Sequence, residues 1–509
     1  MALPDPASGD DTSASQAASG SVRRMLRNAS LYGVGSVLAS LISQFTDPLL
    51  SYYLTRAQFG VIGLATTVSG LLAATYTLGL DGAAGRMYYE AERDADQKRR
   101  LVGTLFAFHL GWLALLVVAH ELAGPWAYGR WLPALPFAPY GRWVALALLL
   151  HAVSAIPRAV WAAREDVQKL VQIRVAGALA SAVVLLALLT AWDAGPLAVL
   201  VAEAVAALVM AVPTVRFVWR GFGLAWDRPL LRGALAFSLP MVVHLTSHWM
   251  LNAADRFVIE DLLGTADVGL YSAAYKGMLI CITLNLSLNS AYVPQFMRAR
   301  QDPSQQAFVG RAMTTLVGLA TGGALAMAIL APTAVRTLYS QQFAAAADLL
   351  VPLAAGGVAQ ALYLIFVNDL FHAKRTAVIP LLTLASGLGN VGLCYAWIPR
   401  FGLQGAAWAT TGGYVLLALL VASASRLRGR LPWEHQRMLR LALVALPTWA
   451  LAGWLDGRWD LPTEWAVKVA LLAASAMALW SSGFVAPEEQ QYTRAWLQAR
   501  VAGWTRRRR

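Results

Sequence analysis

Charge is what this sequence has least of. Asp, Glu, Lys and Arg together make up 14% of its 509 residues, roughly half the share of an ordinary soluble domain. With 58% hydrophobic residues and a mean hydropathy of +0.53, that scarcity excludes a soluble globular chain. Cysteine is nearly absent. Cys281 and Cys394 both fall inside apolar runs, so there is no disulfide framework, and both read as packing residues. Metal ligands are missing as well. His244 and His248 stand four apart on one helix face, but no third ligand accompanies them, and they read as hydrogen-bonding polar residues. Long polar connections are also lacking. The longest outside segment, Ala123–Pro139, carries four prolines and no acidic residue, which leaves no room for an extramembrane catalytic domain. The first 22 residues, rich in Ser, Ala, Asp and Gly, have neither the basic start nor the apolar stretch of a signal peptide and read as a disordered tail.

What is present is a series of long apolar runs. They predict fourteen membrane helices between residues 29 and 484, hence an all-α polytopic membrane protein. A β-barrel would instead alternate apolar and polar residues over short strands. The net charge of +13 raises nucleic acid as a partner, but the basic residues are spread over many short connections and topology explains them better. With the N-terminus inside, 31 Lys and Arg fall on inside segments, 7 on outside segments and 3 within helices. That asymmetry predicts a multi-pass membrane protein with both termini cytoplasmic. The closing run Arg506–Arg509 suits anionic lipid heads, a targeting signal or a topogenic role.

The chain is organised around the stretch from Asn252 to Tyr292. An apolar run ends at Asp255-Arg256, the link GTADVG follows, and a second run carries Lys276. The same pattern occurs near the start, where Asp47 ends one run and Ala57-Gln58-Phe59-Gly60 opens the next. Ala57 and Ala266 are 209 residues apart, as are Gly60 and Gly269, and Asp47 and Asp255 are 208 apart. This predicts a duplicated helical hairpin heading each half of a two-fold repeat. A weaker third copy, RFGLQGAAWAT, begins at Arg400. The expected organisation is a cytoplasmic tail over 1–27, six-helix bundles over 28–232 and 233–425, two additional helices over 426–485 and a basic tail over 486–509.

The blocks SYYLTRAQFGVIGL, TLGLDGAAGRMYYE, DRFVIEDLLGTADVGLYSAAYKG, AYVPQF and IPRFGLQGAAWATT, in that order and spacing, resemble the Wzx-type oligosaccharide-lipid flippases. Those belong to the multidrug/oligosaccharidyl-lipid/polysaccharide exporter superfamily, and the resemblance covers roughly Arg27–Ser425. It implies two six-helix bundles that work by alternating access, with no enzyme chemistry and no cofactor. The implied substrate is an oligosaccharide on undecaprenyl pyrophosphate, moved from the cytoplasmic to the periplasmic leaflet. Coupling to a proton or sodium gradient is implied too, as is work beside a polysaccharide polymerase and a chain-length regulator. The N-terminal tail and the Trp-rich last helices depart from the shared pattern.

A pyrophosphate head needs cations in an otherwise apolar protein. The candidates are Lys276, Arg86, Arg174 and Arg256. Lys276 either projects into a cavity or snorkels outward. Arg86 sits at a cytoplasmic helix end as substrate contact or positive-inside anchor, and Arg174 has the same two readings. Arg256 follows Asp255 directly, and its role rests with its neighbours. The ion-coupling candidates are Asp47, Asp255, Glu203 and Asp369. Asp47 and Asp255 couple an ion or pair with a nearby Arg. Glu203 lies near mid-depth of its helix, and Asp369 near a helix end at the interface. Lys468 reads as an interfacial residue outside the repeated core. A lipid II flippase and a cation-coupled drug antiporter stand as alternatives within the superfamily. An O-antigen polymerase or ligase is the alternative from another class.

Overall fold

A computed structural model of the chain describes residues 46–91, 94–192, 194–300, 302–425, 434–487, 489–491 and 495. The tail expected over 1–27, most of the first expected helix and most of the basic C-terminal tail lie outside them. All regular structure among the described residues is helical. Thirteen helices there are long and apolar enough to cross a membrane, each answering to an expected apolar run. The protein is an all-α, multi-pass membrane protein.

The described residues divide into two compact units, one of residues 46–47 and 68–243 and the other of residues 48–67 and those from 244 onward. The helix α1 (Arg56–Thr77) passes from the second unit into the first. Its start is set by reciprocal capping, since Thr55 N donates to Gln58 Oε1 at 2.9 Å and Gln58 N donates to Thr55 Oγ1 at 3.2 Å.

The first unit continues with α2 (Leu80–Glu90), α3 (Ala95–Trp131), α4 (Arg142–Val153), α5 (Ala155–Ala163), α6 (Val167–Ala191) and α7 (Pro196–Gly221). Its core packs Leu101, Leu105 and Phe106 of α3 against Leu80 and Ala83 of α2, Ile156 and Val160 of α5, and Val218 of α7. Two expected connections are largely helical. The segment 81–100 holds α2 and the start of α3, which is capped by Asp94 accepting from Asp96 N and Gln97 N. Near the other end, α3 continues past Leu122, through Pro125, to Trp131. Hydropathy misses α2 because seven of its eleven residues are Gly, Ala or charged, so it has no sustained apolar run. The α4–α5 break falls at Ser154, where Pro157 lacks the N–H that would bond the carbonyl four residues back.

The helix α8 (Arg228–Ala253) leads into the second unit, followed by α9 (Asp255–Leu263), α10 (Thr265–Ala299), α11 (Gln306–Leu338), α12 (Leu350–His372), α13 (Val378–Phe401), α14 (Leu403–Ala424), α15 (His435–Leu455) and α16 (Leu461–Ser481). The duplicated signature is visible as geometry here. The helices α1 and α10 begin at Arg56 and Thr265, in register with the 209-residue offset. They also cross each other at equivalent residues. A Cβ on Gly60 would lie 1.8 Å from Thr265 O, and one on Gly269 would lie 2.1 Å from Arg56 O. Gly63 faces its own equivalent, Ser272. Only glycine permits so close an approach, and the crossing has the reciprocity of a local two-fold axis. The third copy also acquires a first-half partner. Gly195 before α7 and Gly402 before α14 hold φ 58° and 57° with ψ −141° at both, a backbone region that is essentially glycine-only.

The last two helices pack on α11 through buried charge rather than apolar contact alone. Lys468 of α16 is fully buried, which corrects the interfacial reading. Its ammonium bonds Thr333 at 2.9 Å, Glu464 at 2.8 Å and Asp456. Arg336 of α11 completes the group, 2.6 Å from Glu464 and 2.8 Å from Asp456. Two cations and two anions neutralise one another, as an apolar surround requires. Lys468→Met is therefore expected to lower stability by about 3–5 kcal/mol, because it leaves two carboxylates against one guanidinium. Thermal unfolding of the purified protein measures this, and the double variant with Glu464→Gln should recover most of the loss.

Candidate functional site

The polar cluster of the second unit gathers where α8 breaks into α9. Asp255 is fully buried there and Arg256 is 8% exposed. The adjacent pair closes on itself, with Arg256 Nη1 3.0 Å from Asp255 Oδ1 and 3.0 Å from Asn252 O. The second carboxylate oxygen accepts from the Tyr271 hydroxyl at 2.5 Å. Thr410 Oγ1 lies 3.1 Å from the same oxygen and 2.7 Å from that hydroxyl. The guanidinium rests on two rings, 4.4 Å from the Tyr275 centroid and 5.5 Å from that of Tyr271. One turn before Arg256, Asn252 Oδ1 accepts from Tyr414 at 2.5 Å and Tyr275 at 3.2 Å, while its amide donates to His248 O at 2.6 Å.

This arrangement is a buried ion pair caged by hydroxyls. It satisfies a carboxylate that would otherwise be costly at such depth. It also gives Arg256 two interactions at once, one with Asp255 and one with the tyrosine faces.

The other sequence candidates have no part in the contacts just described. Lys276 follows Tyr275 on α10 and is half-buried. Asp369 is 1% exposed and sits near the end of α12, bonded to Arg300 at 2.9 Å and to Ser425 at 2.8 Å. In the first unit, Arg86 is exposed on α2, paired with Glu90 at 2.7 Å and stacked over Phe237 at 5.0 Å. Arg174 lines a small cavity with Arg158 and Asp81. Glu203 is exposed on α7, and Asp47 is buried in the helical residues 46–53. Among the described residues no group of three or more His, Cys, Asp or Glu is arranged to hold a metal ion.

Sequence reasoning picked out Asp255 and Arg256 but missed their cage, namely Asn252, Tyr271, Tyr275, Thr410 and Tyr414. A signal for it exists in spacing. Tyr271 and Tyr275, and Thr410 and Tyr414, are each four residues apart, so each of these pairs shares one helix face, and Asn252 and Arg256 keep the same spacing across the α8–α9 break.

A family model described as "Polysaccharide biosynthesis protein" matches residues 49–348, well over half of the chain. The chain belongs to the polysaccharide biosynthesis protein family. No curated protein matches it significantly by sequence. Solved structures match its fold. One is "Lipid II flippase MurJ, inward closed conformation", with a TM-score of 0.73 and 10% identity, covering 89% of this chain and 98% of that one. Another is a multidrug resistance MATE transporter of the MOP superfamily in an inward-facing conformation, with a TM-score of 0.63 and 15% identity, covering 77% and 94%. A third is a MOP-superfamily transporter from Pyrococcus furiosus, titled for the reverse polarity of its binding pocket, with a TM-score of 0.55 and 14% identity, covering 80% and 95%. At these identities the likeness is one of fold. This member of the polysaccharide biosynthesis family has the architecture of transporters rather than of enzymes.

Proposed function

We propose that this polysaccharide biosynthesis protein is a flippase. It carries an undecaprenyl-pyrophosphate-linked oligosaccharide from the cytoplasmic to the periplasmic leaflet of a bacterial plasma membrane by alternating access. The product serves O-antigen, capsule or exopolysaccharide assembly. The observation that carries this reading is the pairing of a polysaccharide-biosynthesis family match with a transporter fold. A sugar-bearing lipid made at one face and used at the other needs a carrier, not a catalyst. The orientation follows from the Lys and Arg asymmetry, with both termini cytoplasmic. A polymerase and a chain-length regulator are the expected neighbours.

In this reading Lys276, Arg86, Arg174 and Arg256 supply positive charge along the route of the pyrophosphate, which lowers the cost of moving an anion through hydrocarbon. Asp47, Asp255, Glu203 and Asp369 are the acidic groups through which a proton or sodium gradient drives the cycle. Of these, Asp255 carries the argument furthest, because it is fully buried beside the hydroxyls of Tyr271 and Thr410.

The test is a deletion strain whose undecaprenyl-linked intermediates are extracted and assigned to a leaflet. The expected result is cytoplasmic-side accumulation of a complete oligosaccharide-lipid with surface polysaccharide lost. Complementation by Lys276→Ala or Arg86→Ala should restore protein abundance but not export. An unchanged lipid pool with new sensitivity to cationic dyes would transfer the assignment to drug antiport, and normal export by both variants would remove the cationic-route argument.

A further inference from the structure

A cavity of about 280 Å³ lies wholly within the first unit, walled by α2, α5, α6 and α7. Two arginines from different helices line it, Arg158 of α5 and Arg174 of α6, with Asp81 of α2 at the same wall. The remaining walls are small or apolar, among them Ala159, Leu170, Ile173 and Met210. The two cations outnumber the carboxylate, so the cavity carries net positive charge.

Arg158 is held beside the α4–α5 break described above. Its Nε donates to Ser154 O at 3.2 Å and its Nη2 to His151 O at 3.4 Å. These two carbonyls fix the guanidinium plane. A guanidinium offers five donors in a rigid fork, and one clamped along its inner edge is pre-oriented for an oxyanion. Arg158 and Arg174 present two forks beside an apolar wall, a shape that matches a diphosphate ester joined to a hydrocarbon chain.

We infer that the Arg158–Arg174 cavity is a receptor for a lipid-borne diphosphate head at the cytoplasmic leaflet, a docking station distinct from the Asp255 cluster. The inference rests on the flippase reading for the identity of the lipid, but the anion site itself does not. On the orientation proposed above, the α5–α6 connection lies on the cytoplasmic side, where a newly made lipid-linked saccharide arrives. Docking there would precede passage through the transport route.

Binding of inorganic pyrophosphate to the full chain in phosphatidylcholine nanodiscs tests this by calorimetric titration, with sodium sulfate matched for ionic strength. Arg158→Gln removes a clamp on the helix break and can unsettle the fold, so Arg174→Gln is the deciding variant, with Arg174→Lys as its conservative control. Wild type should bind pyrophosphate in preference to sulfate. Arg174→Gln should bind roughly 10- to 100-fold more weakly, the size of one lost charge-assisted hydrogen bond, and Arg174→Lys should fall between. No preference for pyrophosphate in wild type, or equal binding by Arg174→Gln, overturns the inference. Repeating the titration with phosphatidylglycerol in the disc separates two sources of the anion. Undiminished binding favours the diphosphate lipid, whereas full competition overturns that assignment and makes the occupant an ordinary phospholipid head. Export measured in the deletion strain keeps the two readings separable. Lost pyrophosphate binding with normal export removes the docking station alone, and bound pyrophosphate without a stranded oligosaccharide-lipid removes the cargo alone.

Discussion

With Gly63→Cys and Ser272→Cys installed together, oxidation is expected to stop transport and reductant to restore it. The two positions are equivalents in the repeat and face each other where α1 crosses α10. A Cβ on residue 63 would lie 3.3 Å from Ser272 Cβ, a few tenths below the usual separation for a disulfide of roughly 3.5–4.5 Å. Val268 Cγ1, also 3.3 Å away, is a side-chain atom able to yield by the few tenths required. Cys281 and Cys394 are both buried and do not compete for the bond. Alternating access needs helices of the two repeats to part at one face when they close at the other, and a covalent bond at this crossing forbids that. The assay is flipping of a fluorescent polyprenyl-diphosphate sugar in proteoliposomes, before and after oxidation and then reduction, with cross-linking followed by mobility on gels. Full transport by a verified cross-linked protein would mean that α1 and α10 move as one body, and the repeat axis would then be scaffold rather than gate.

The reasons this crossing was legible lie in Ala57, Gly60, Ala266 and Gly269. Small residues at matched offsets leave a trace in sequence because no larger side chain fits where backbone meets backbone. The spans were legible for a different reason, since apolar runs long enough to cross a bilayer have few other uses in a chain so poor in charge. What sequence did not yield was polar detail. The helix α2 hid in a segment read as a loop, because Asp81–Glu90 is too polar to raise hydropathy, although its residues Ala83, Ala84 and Tyr88 are buried. Lys468 seemed interfacial because it lies outside the repeated core. Arg336 and Asp456, which complete its environment, lie more than a hundred residues upstream and on the preceding turn. Tyr271, Tyr275 and Tyr414 give no signal of their own in the sequence, since a tyrosine ring suits an apolar face whether or not its hydroxyl has work. Partners brought together by tertiary packing leave no signature in a local window.

Removing the Asp255 carboxylate should separate a structural ion pair from a coupling group. Asp255→Ala strands the Arg256 guanidinium in a buried site and is expected to cost about 3–5 kcal/mol, seen as reduced recovery and a lower unfolding temperature. Asp255→Asn is milder, since its amide oxygen still accepts from Tyr271 and Thr410, but its NH₂ faces the guanidinium as donor against donor. The informative variant removes both charges, Asp255→Asn with Arg256→Gln. Buried ion pairs replaced as a unit are often neutral in stability, so this protein should fold as well as wild type. If the pair is only structural, the double variant should also transport like wild type, with the same response to an imposed proton or sodium gradient in proteoliposomes. A coupling carboxylate predicts otherwise. The double variant is then stable yet loses uphill transport, and any residual flipping no longer responds to either gradient. The second outcome is the expected one. An ion that displaces Arg256 from Asp255 meets the Tyr271 and Thr410 hydroxyl oxygens beside the carboxylate, and such oxygens suit a proton or a sodium ion.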